Sequence, residues 1–232
     1  MHQYRPPLTK INKHLIIALV SIFIIHSIFH LASGAYFSHF FSLNGGTFFS
    51  GLIFQILTYP FFASGLFEIL FDCLILWFLG GSLESLWGPK KYLQFLLVSV
   101  IVGGALFLGV SSFLPAWPSL SGPGALTYPL LIAYGVLYPE RDLLLIFFPI
   151  KAKWFCLIIL GMQTYLGIFS PMGTAAWGNL GAMAGGFLWM VWQTKRNKVQ
   201  KSNKKKRNSN HLKLVKGGEE KGNDDDPPKY LH

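Results

Sequence analysis

The stretch whose residue types most suggest chemistry is Ser121–Leu130, SGPGALTYPL, which lies between long apolar runs. A Gly-x-Ser-Gly turn at the head of a helix is a common way to present a nucleophilic serine. In this chain the glycines are present, but the nearest hydroxyl, that of Ser121, precedes the turn instead of lying within it. Nothing in the sequence marks a base that would activate Ser121.

Two acidic residues, Glu68 and Asp72, lie in another apolar stretch at a spacing of four, which places them on the same side of a helix. An acid at mid-membrane costs about 2.5–3.5 kcal/mol on insertion scales, so such residues normally face a cavity or a partner. One interpretation is a hydrated polar cavity with hydrogen bonds to Asn179, Thr127 or Tyr128. The other is a proton, cation or partner-arginine site, in which the two carboxylates share a proton.

His26 and His30 repeat the four-residue spacing near the end of the first apolar stretch. Together with Glu68 and Asp72 they would form a two-histidine, two-carboxylate metal site if the first two stretches pack in that way. The alternative is a pair of histidines with their polar tips at the lipid headgroups. The two cysteines have no metal-ligand spacing and no disulfide framework. We therefore expect no metal and no cofactor.

The composition is that of a membrane protein: 52% of the 232 residues are apolar and 13% are charged, against about 25% charged in an average soluble domain. A helix needs about 20 apolar residues to cross the hydrocarbon. Six stretches qualify, at about 14–32, 61–80, 92–114, 122–138, 153–170 and 174–193. A seventh, 47–57, is too short and predicts an interfacial or re-entrant segment. The segment 143–154 is expected to lie along the cytoplasmic face, and Pro149 argues against a helix through it.

The 20 lysines and arginines fall only in alternate connections between these stretches. Cations concentrate on the cytoplasmic side, so both termini are predicted to be cytoplasmic. The alternative that the first stretch is a cleaved signal peptide, ending at Ala32–Ala35, leaves the orientation of the other five unchanged.

The chain is predicted to have three parts: a cytoplasmic segment 1–13, a six-helix membrane domain 14–193 and a polar tail 194–232. The tail turns from basic to acidic and has too little apolar surface to fold, so we expect it to be disordered. Its basic half would be attracted to anionic lipid. We expect membrane lipids and membrane proteins as partners and no nucleic acid, while the sequence leaves the oligomeric state open.

Three segments resemble the rhomboid family of intramembrane serine proteases. They are Leu57–Gly88, which ends in a Leu-Gly-Gly-x-x-Glu motif, then SGPGAL from Ser121, then NLGAMAGG from Asn179. Together they cover about residues 50–193, in the family's order and at the right spans. The resemblance implies an all-α, six-transmembrane-helix bundle, in which a serine on the fourth span and a histidine on the sixth form a catalytic dyad.

The resemblance also assigns positions residue by residue. The family's serine falls on Gly124 when Tyr128 is matched to the family's tyrosine, or on Pro123 when the glycine that follows is matched instead. The family's histidine falls on Asn179. Its two oxyanion-binding residues on the second span, a histidine and an asparagine, fall on Glu68 and Asp72.

The glycines of the family's framework are retained, although the residues at the catalytic positions differ. The retained scaffold residues are Gly80, Gly81, Glu84, Gly181 and Gly185. Gly181 and Gly185 have the spacing that permits close helix packing, which the resemblance places between the sixth and fourth spans.

The sequence therefore favours a rhomboid-like pseudoprotease that binds transmembrane segments of client proteins, in a bacterial plasma membrane. Glu68, Asp72, Tyr128 and Asn179 would line its binding cavity. Two alternatives remain open: an active serine endopeptidase with a rearranged site, such as one using Ser121, and a proton or cation site at Glu68 and Asp72. Whether the chain is an enzyme is not decided by the sequence.

Overall fold

The structure, a computed structural model, describes residues 9–33, 38–114, 118–145, 148–170 and 173–209. It is a bundle of helices joined by short helical turns and two small antiparallel ladders. The long helices are α1 (Lys10–Ser33), α5 (Leu66–Ile75) with α6 (Gly81–Trp87), α7 (Pro89–Ser111), α8 (Gly124–Leu137), α9 (Ala152–Phe169) and α10 (Thr174–Ser209). The expected all-α, polytopic fold is confirmed.

Within the described ranges, four helices are long and apolar enough to cross a membrane, by length and composition. They are Lys10–Ala32, Leu66–Trp87, Pro89–Ser111 and Ala152–Phe169. The fourth expected span is a shorter apolar helix, α8, and the sixth begins α10. Large apolar side chains on the outside of these helices remain exposed, for example Ile25 at 64% on α1, as expected where lipid covers the surface.

The second span begins later and ends later than the sequence predicts. Residues 59–61 form a single 3-10 turn, and Gly65, in an extended conformation, precedes the helix at Leu66. One π-helical turn, Leu76–Gly80, joins α5 to α6 and carries the span on to Trp87. The predicted start at 61 was wrong because Pro60 and Gly65 interrupt an apolar run that hydropathy alone reads as continuous.

The first loop is folded into short elements that end close to the candidate site. These are α2 (Ser38–Phe41), β1 (Leu43–Asn44), α3 (Gly45–Phe49) and α4 (Gln55–Thr58). β1 pairs antiparallel with β2 (Ser119–Leu120), and the side chain of Asn44 also donates to the carbonyl of Pro118. This pairing fixes the chain immediately before Ser121. None of these elements is long enough to cross the membrane, in agreement with the expectation that 47–57 is too short to span it.

The connection between α8 and α9 is a hairpin of β3 (Asp142–Leu145) and β4 (Phe148–Lys151), so the segment around Pro149 is not helical. Glu140 precedes the hairpin and accepts hydrogen bonds from Lys151 at 2.9 Å and Lys153 at 2.5 Å. These two bonds, with the charges of both lysines, lower the pKa of Glu140 to about 2. The carboxylate thus ties the two ends of the hairpin together at neutral pH.

A face of α10 without large side chains packs against α7. A Cβ built on Gly181 would lie 2.8 Å from Cβ of Leu106, and one built on Gly185 would lie 2.8 Å from Cβ of Val102. On the α7 side, a Cβ on Gly103 would lie 2.8 Å from the carbonyl oxygen of Gly178. We call this contact the glycine seam. The expectation that Gly181 and Gly185 face the fourth span was wrong, because this face of α10 is turned toward the third.

We expect Gly181→Ala to lower the thermal stability of the detergent-solubilised protein. The added methyl group meets atoms near the α7 backbone, which cannot rotate away, and overpacking of this kind costs about 1–3 kcal/mol. Gly109→Ala, also within a helix of the seam, is the matched control because nothing lies within 4 Å of its Cβ position. Equal melting temperatures for the two variants would contradict the close packing.

The carboxylate of Glu84 closes the first turn of α1. It accepts from the backbone N–H groups of Ile11 and Asn12, each at 3.0 Å, and from the hydroxyl of Thr9. These N–H groups have no partner within their own helix, and the positive end of the helix dipole favours a negative charge there. The amide oxygen of Asn12 in turn accepts from the hydroxyl of Tyr92 at 2.7 Å. We call this arrangement the Glu84 clamp.

Replacing Glu84 by alanine should therefore lower the stability strongly, since a hydrogen bond to a charged group contributes about 1.5–3 kcal/mol. Thr9→Val removes one of the three bonds and should cost clearly less. Thermal unfolding in detergent measures both variants. A loss for Glu84→Ala no larger than that for Thr9→Val would argue against the clamp.

Candidate functional site

The glycine turn lies between β2 and α8. Gly122 has φ +112°, a conformation that side chains with a Cβ rarely adopt, and its N–H donates to the carbonyl of Tyr59 at 3.1 Å. Pro123 caps the helix without a side-chain bond, and α8 starts at Gly124. The turn therefore delivers residue 124 to the first position of a helix inside the membrane domain, which is the setting that the family resemblance implies.

Gly124 faces Asn179 on α10. A Cβ built on Gly124 would lie 2.9 Å from Oδ1 of Asn179 and 2.7 Å from the ring of Tyr128. A side chain at position 124 would thus project directly toward position 179. This is the geometry that a dyad on the fourth and sixth spans requires, but the two facing residues are a glycine and an amide.

The two acids of α5 both reach the turn that opens α8. Oδ1 of Asp72 accepts from the hydroxyl of Thr127 at 2.7 Å, and the whole Asp72 side chain is buried, with 9% of its residue surface exposed. Oε2 of Glu68 accepts from the N–H of Ser64 at 2.7 Å. Its other oxygen, Oε1, lies 2.5 Å from the Cβ position of Gly122. Glu68 therefore covers the turn from the side of α5.

Neither acid forms an ion pair with a cation in the part of the chain that the structure describes. Asp72 is held instead by a neutral donor, the Thr127 hydroxyl, and Glu68 by a backbone N–H. The hydrogen bond to Thr127 is one of those that the polar-cavity interpretation anticipates. The two carboxylates give the site several hydrogen-bond acceptors, and the groups that donate to them in these two contacts are uncharged.

Gln163 on α9 is a member of the site that the sequence interpretation missed. Its residue surface is 3% exposed, although most of α9 is exposed. Oε1 of Gln163 accepts from Nδ2 of Asn179 at 3.4 Å. The sequence feature that could have identified Gln163 is a polar amide within an apolar span, just as acidic residues within an apolar span identified Glu68 and Asp72.

The remaining candidates are not brought into the site. The hydroxyl of Ser121, half-buried before the turn, makes no hydrogen bond within the described residues. His26 packs edge-on against Phe62, with ring centroids 6.1 Å apart, and its buried Nε2 has no hydrogen-bond partner in the described part of the chain. The conceivable site of two histidines and two carboxylates is not assembled: across the described ranges, no group of three or more His, Cys, Asp or Glu residues comes together.

These features define a polytopic helical membrane protein with a polar site between its second, fourth, fifth and sixth spans. The family model of the rhomboid domain matches residues 51–196, which is more than half of the chain. The chain therefore belongs to the rhomboid family. No curated protein matches it.

The turn itself gives a test of the site geometry. Gly122→Ala should destabilise the protein, because a residue with a Cβ at this φ is strained by about 1–3 kcal/mol and its methyl group would meet the Glu68 carboxylate. Gly65→Ala is the matched control, with φ −156° and nothing within 4 Å of its Cβ position.

Adding Glu68→Ala to Gly122→Ala should recover part of the loss, since the collision is removed and the backbone strain remains. Thermal unfolding of the three variants measures the effect. The absence of any recovery would show that Glu68 does not cover the turn.

Proposed function

We propose that this rhomboid-family protein is a pseudoprotease that binds transmembrane segments of client proteins without cleaving them. One observation carries the proposal: Gly124 and Asn179 face each other at the two positions that the family uses for its serine and histidine. A glycine offers no oxygen to attack a carbonyl, and an asparagine amide cannot accept a proton at neutral pH.

The acids on α5 are also unsuited to the family's reaction. Acyl transfer needs donors aimed at the developing oxyanion, and a single such donor contributes about 2.7–4 kcal/mol. At the two positions that the resemblance assigns to oxyanion binding, this chain has Glu68 and Asp72. An ionised carboxylate repels the negative charge that it would have to stabilise.

The same residues are suited to holding a polar group of a membrane segment. Asn179, Gln163 and Tyr128 have amide and hydroxyl groups, and Glu68 and Asp72 have carboxylate oxygens, all within one membrane domain. A polar group of a client helix has no water to bond with in the hydrocarbon, so it gains by reaching such a site. The proposal includes cytoplasmic termini, on the strength of the cation distribution, and a plasma-membrane location in a bacterium, on the strength of the compact six-span form.

A second candidate function is supported by one contact. Thr127 donates its hydroxyl to Asp72 at 2.7 Å, so a hydroxyl and a titratable group do meet in this pocket. A threonine nucleophile with a carboxylate base would make the protein an active peptidase. Against it, Thr127 is fully buried, and its hydroxyl also lies 3.4 Å from the carbonyl of Pro123 within the helix. Such a hydroxyl has no path to a peptide bond without rearrangement of α8. Ser121 also offers a hydroxyl, but it makes no hydrogen bond to a base among the residues that the structure describes.

Reconstituted in liposomes with a single-span reporter that carries a helix-destabilised segment, the purified protein should release no fragment. The reporter should nevertheless crosslink to a photoreactive residue at position 128, inside the site. The matched control is the same photoreactive residue at Phe113, which is 90% exposed. Cleavage lost in Thr127→Val or Ser121→Ala would establish the peptidase, while equal crosslinking at 128 and 113 would refute client binding at the site.

The facing geometry makes a further prediction about regaining activity. Gly124→Ser combined with Asn179→His should produce at least weak reporter cleavage, because the new side chains project toward each other once the ring of Tyr128 shifts. Gly124→Ser alone is the control and should stay inactive, since no base accompanies the hydroxyl. If the single variant cleaved as well as the double one, position 179 would have no role in proton transfer.

A further inference from the structure

The last helix continues well beyond the apolar stretch that spans the membrane. α10 runs from Thr174 to Ser209, 36 residues, whereas about 20 suffice for a span. The sequence of its polar end, QTKRNKVQKSNKKKRNS, has lysine or arginine at 195, 196, 198, 201 and 204–207 and no acidic residue. We call residues 193–209 the basic extension. The sequence alone predicted disorder from 194, so its helical conformation calls for an explanation.

A helix of this composition is not stable by itself. Val199 is the only large apolar residue in the basic extension, so it has no apolar face to pack against a core. Lys201 is followed by Lys204 and Lys205, at the three- and four-residue spacings that make neighbours on a helix, and like charges at such spacings repel. The helical state of this segment therefore needs negative charge from outside the helix.

The position of the basic extension in the chain indicates where this external negative charge lies. Lys195 follows Trp192, the last apolar aromatic residue of the sixth span, by only three residues in sequence. The cations from Lys195 to Lys201 therefore begin directly after the membrane span, where anionic headgroups attract positive charge. Nucleic-acid binding fits less well, because the sequence of the basic extension contains no aromatic residue that could stack on bases.

We propose that the basic extension binds the headgroups of anionic phospholipids at the membrane surface, which neutralise its charge and hold it helical. The lysines and arginines supply the attraction, and the strength of the binding grows with the number of cations near the surface. The site is independent of the polar cluster around Asn179 and of client binding. It anchors the end of the sixth span to one class of lipid.

The test uses the full chain, reconstituted in phosphatidylcholine vesicles with and without phosphatidylglycerol. A donor fluorophore on Ser209→Cys reports energy transfer to headgroup-labelled acceptor lipid, and protein without this cysteine gives the background from Cys73 and Cys156. We expect transfer to rise when phosphatidylglycerol is present and to return to the phosphatidylcholine value at high salt, because salt screens the attraction.

Two sets of glutamine substitutions distinguish a local lipid-binding site from an effect of the overall net charge. Glutamine at Lys195, Arg196, Lys198 and Lys201, the cations nearest the end of the sixth span, should abolish most of the response to phosphatidylglycerol. Glutamine at Lys213, Lys216, Lys221 and Lys229 removes the same number of charges outside the basic extension and should leave the response largely unchanged. An equal loss in both variants, or no response in the native chain, would overturn the proposal. It would also be overturned if the extension bound RNA but showed no lipid response.

Discussion

The absence of side chains along one face of α10 determines where the residues of the site can lie. Gly181 and Gly185 let α10 approach α7 so closely that a single methyl group would collide. Asn179, two residues before Gly181, points the other way, toward Gly124 on α8. The glycine seam therefore fixes α10 against α7, and with it the position of Asn179 opposite Gly124.

The carboxylates of the bundle are hydrogen-bonded in two different ways, and the difference distinguishes a stabilising carboxylate from the two at the candidate site. The carboxylate of Glu84, at the start of α1, accepts hydrogen bonds from two helix N–H groups and one hydroxyl, as expected of a carboxylate that stabilises the fold. Glu68 and Asp72 are held more loosely, by one backbone N–H and one hydroxyl. Carboxylates with spare hydrogen-bonding capacity within a membrane domain are costly to keep unless something else binds there. This contrast supports a binding role for the α5 acids.

The sequence predicted the helical class, the approximate spans and the acids of α5, because hydropathy and charge are local properties. It misplaced the start of the second span, since Gly65 breaks an apolar run without changing its hydropathy. The family resemblance placed Gly181 and Gly185 against the wrong neighbouring span, and their spacing could not correct it, because spacing shows that a helix face lacks large side chains but not which helix packs against it. The sequence interpretation missed Gln163, whose burial depends on the rotation of α9. Contacts between distant helices are set by packing, which one sequence does not encode in a readable pattern.

The central claim is that this pocket lacks an activated nucleophile, although Thr127 and Asp72 meet within it. The most direct measurement is the intact mass of the purified, lipid-reconstituted protein after incubation with a fluorophosphonate that modifies activated hydroxyl groups. An active rhomboid protease treated in parallel shows that the reagent reaches a membrane site. The account predicts an unchanged mass for this chain. A single adduct that maps to Thr127 or Ser121 and disappears in the corresponding Thr127→Val or Ser121→Ala variant would contradict it.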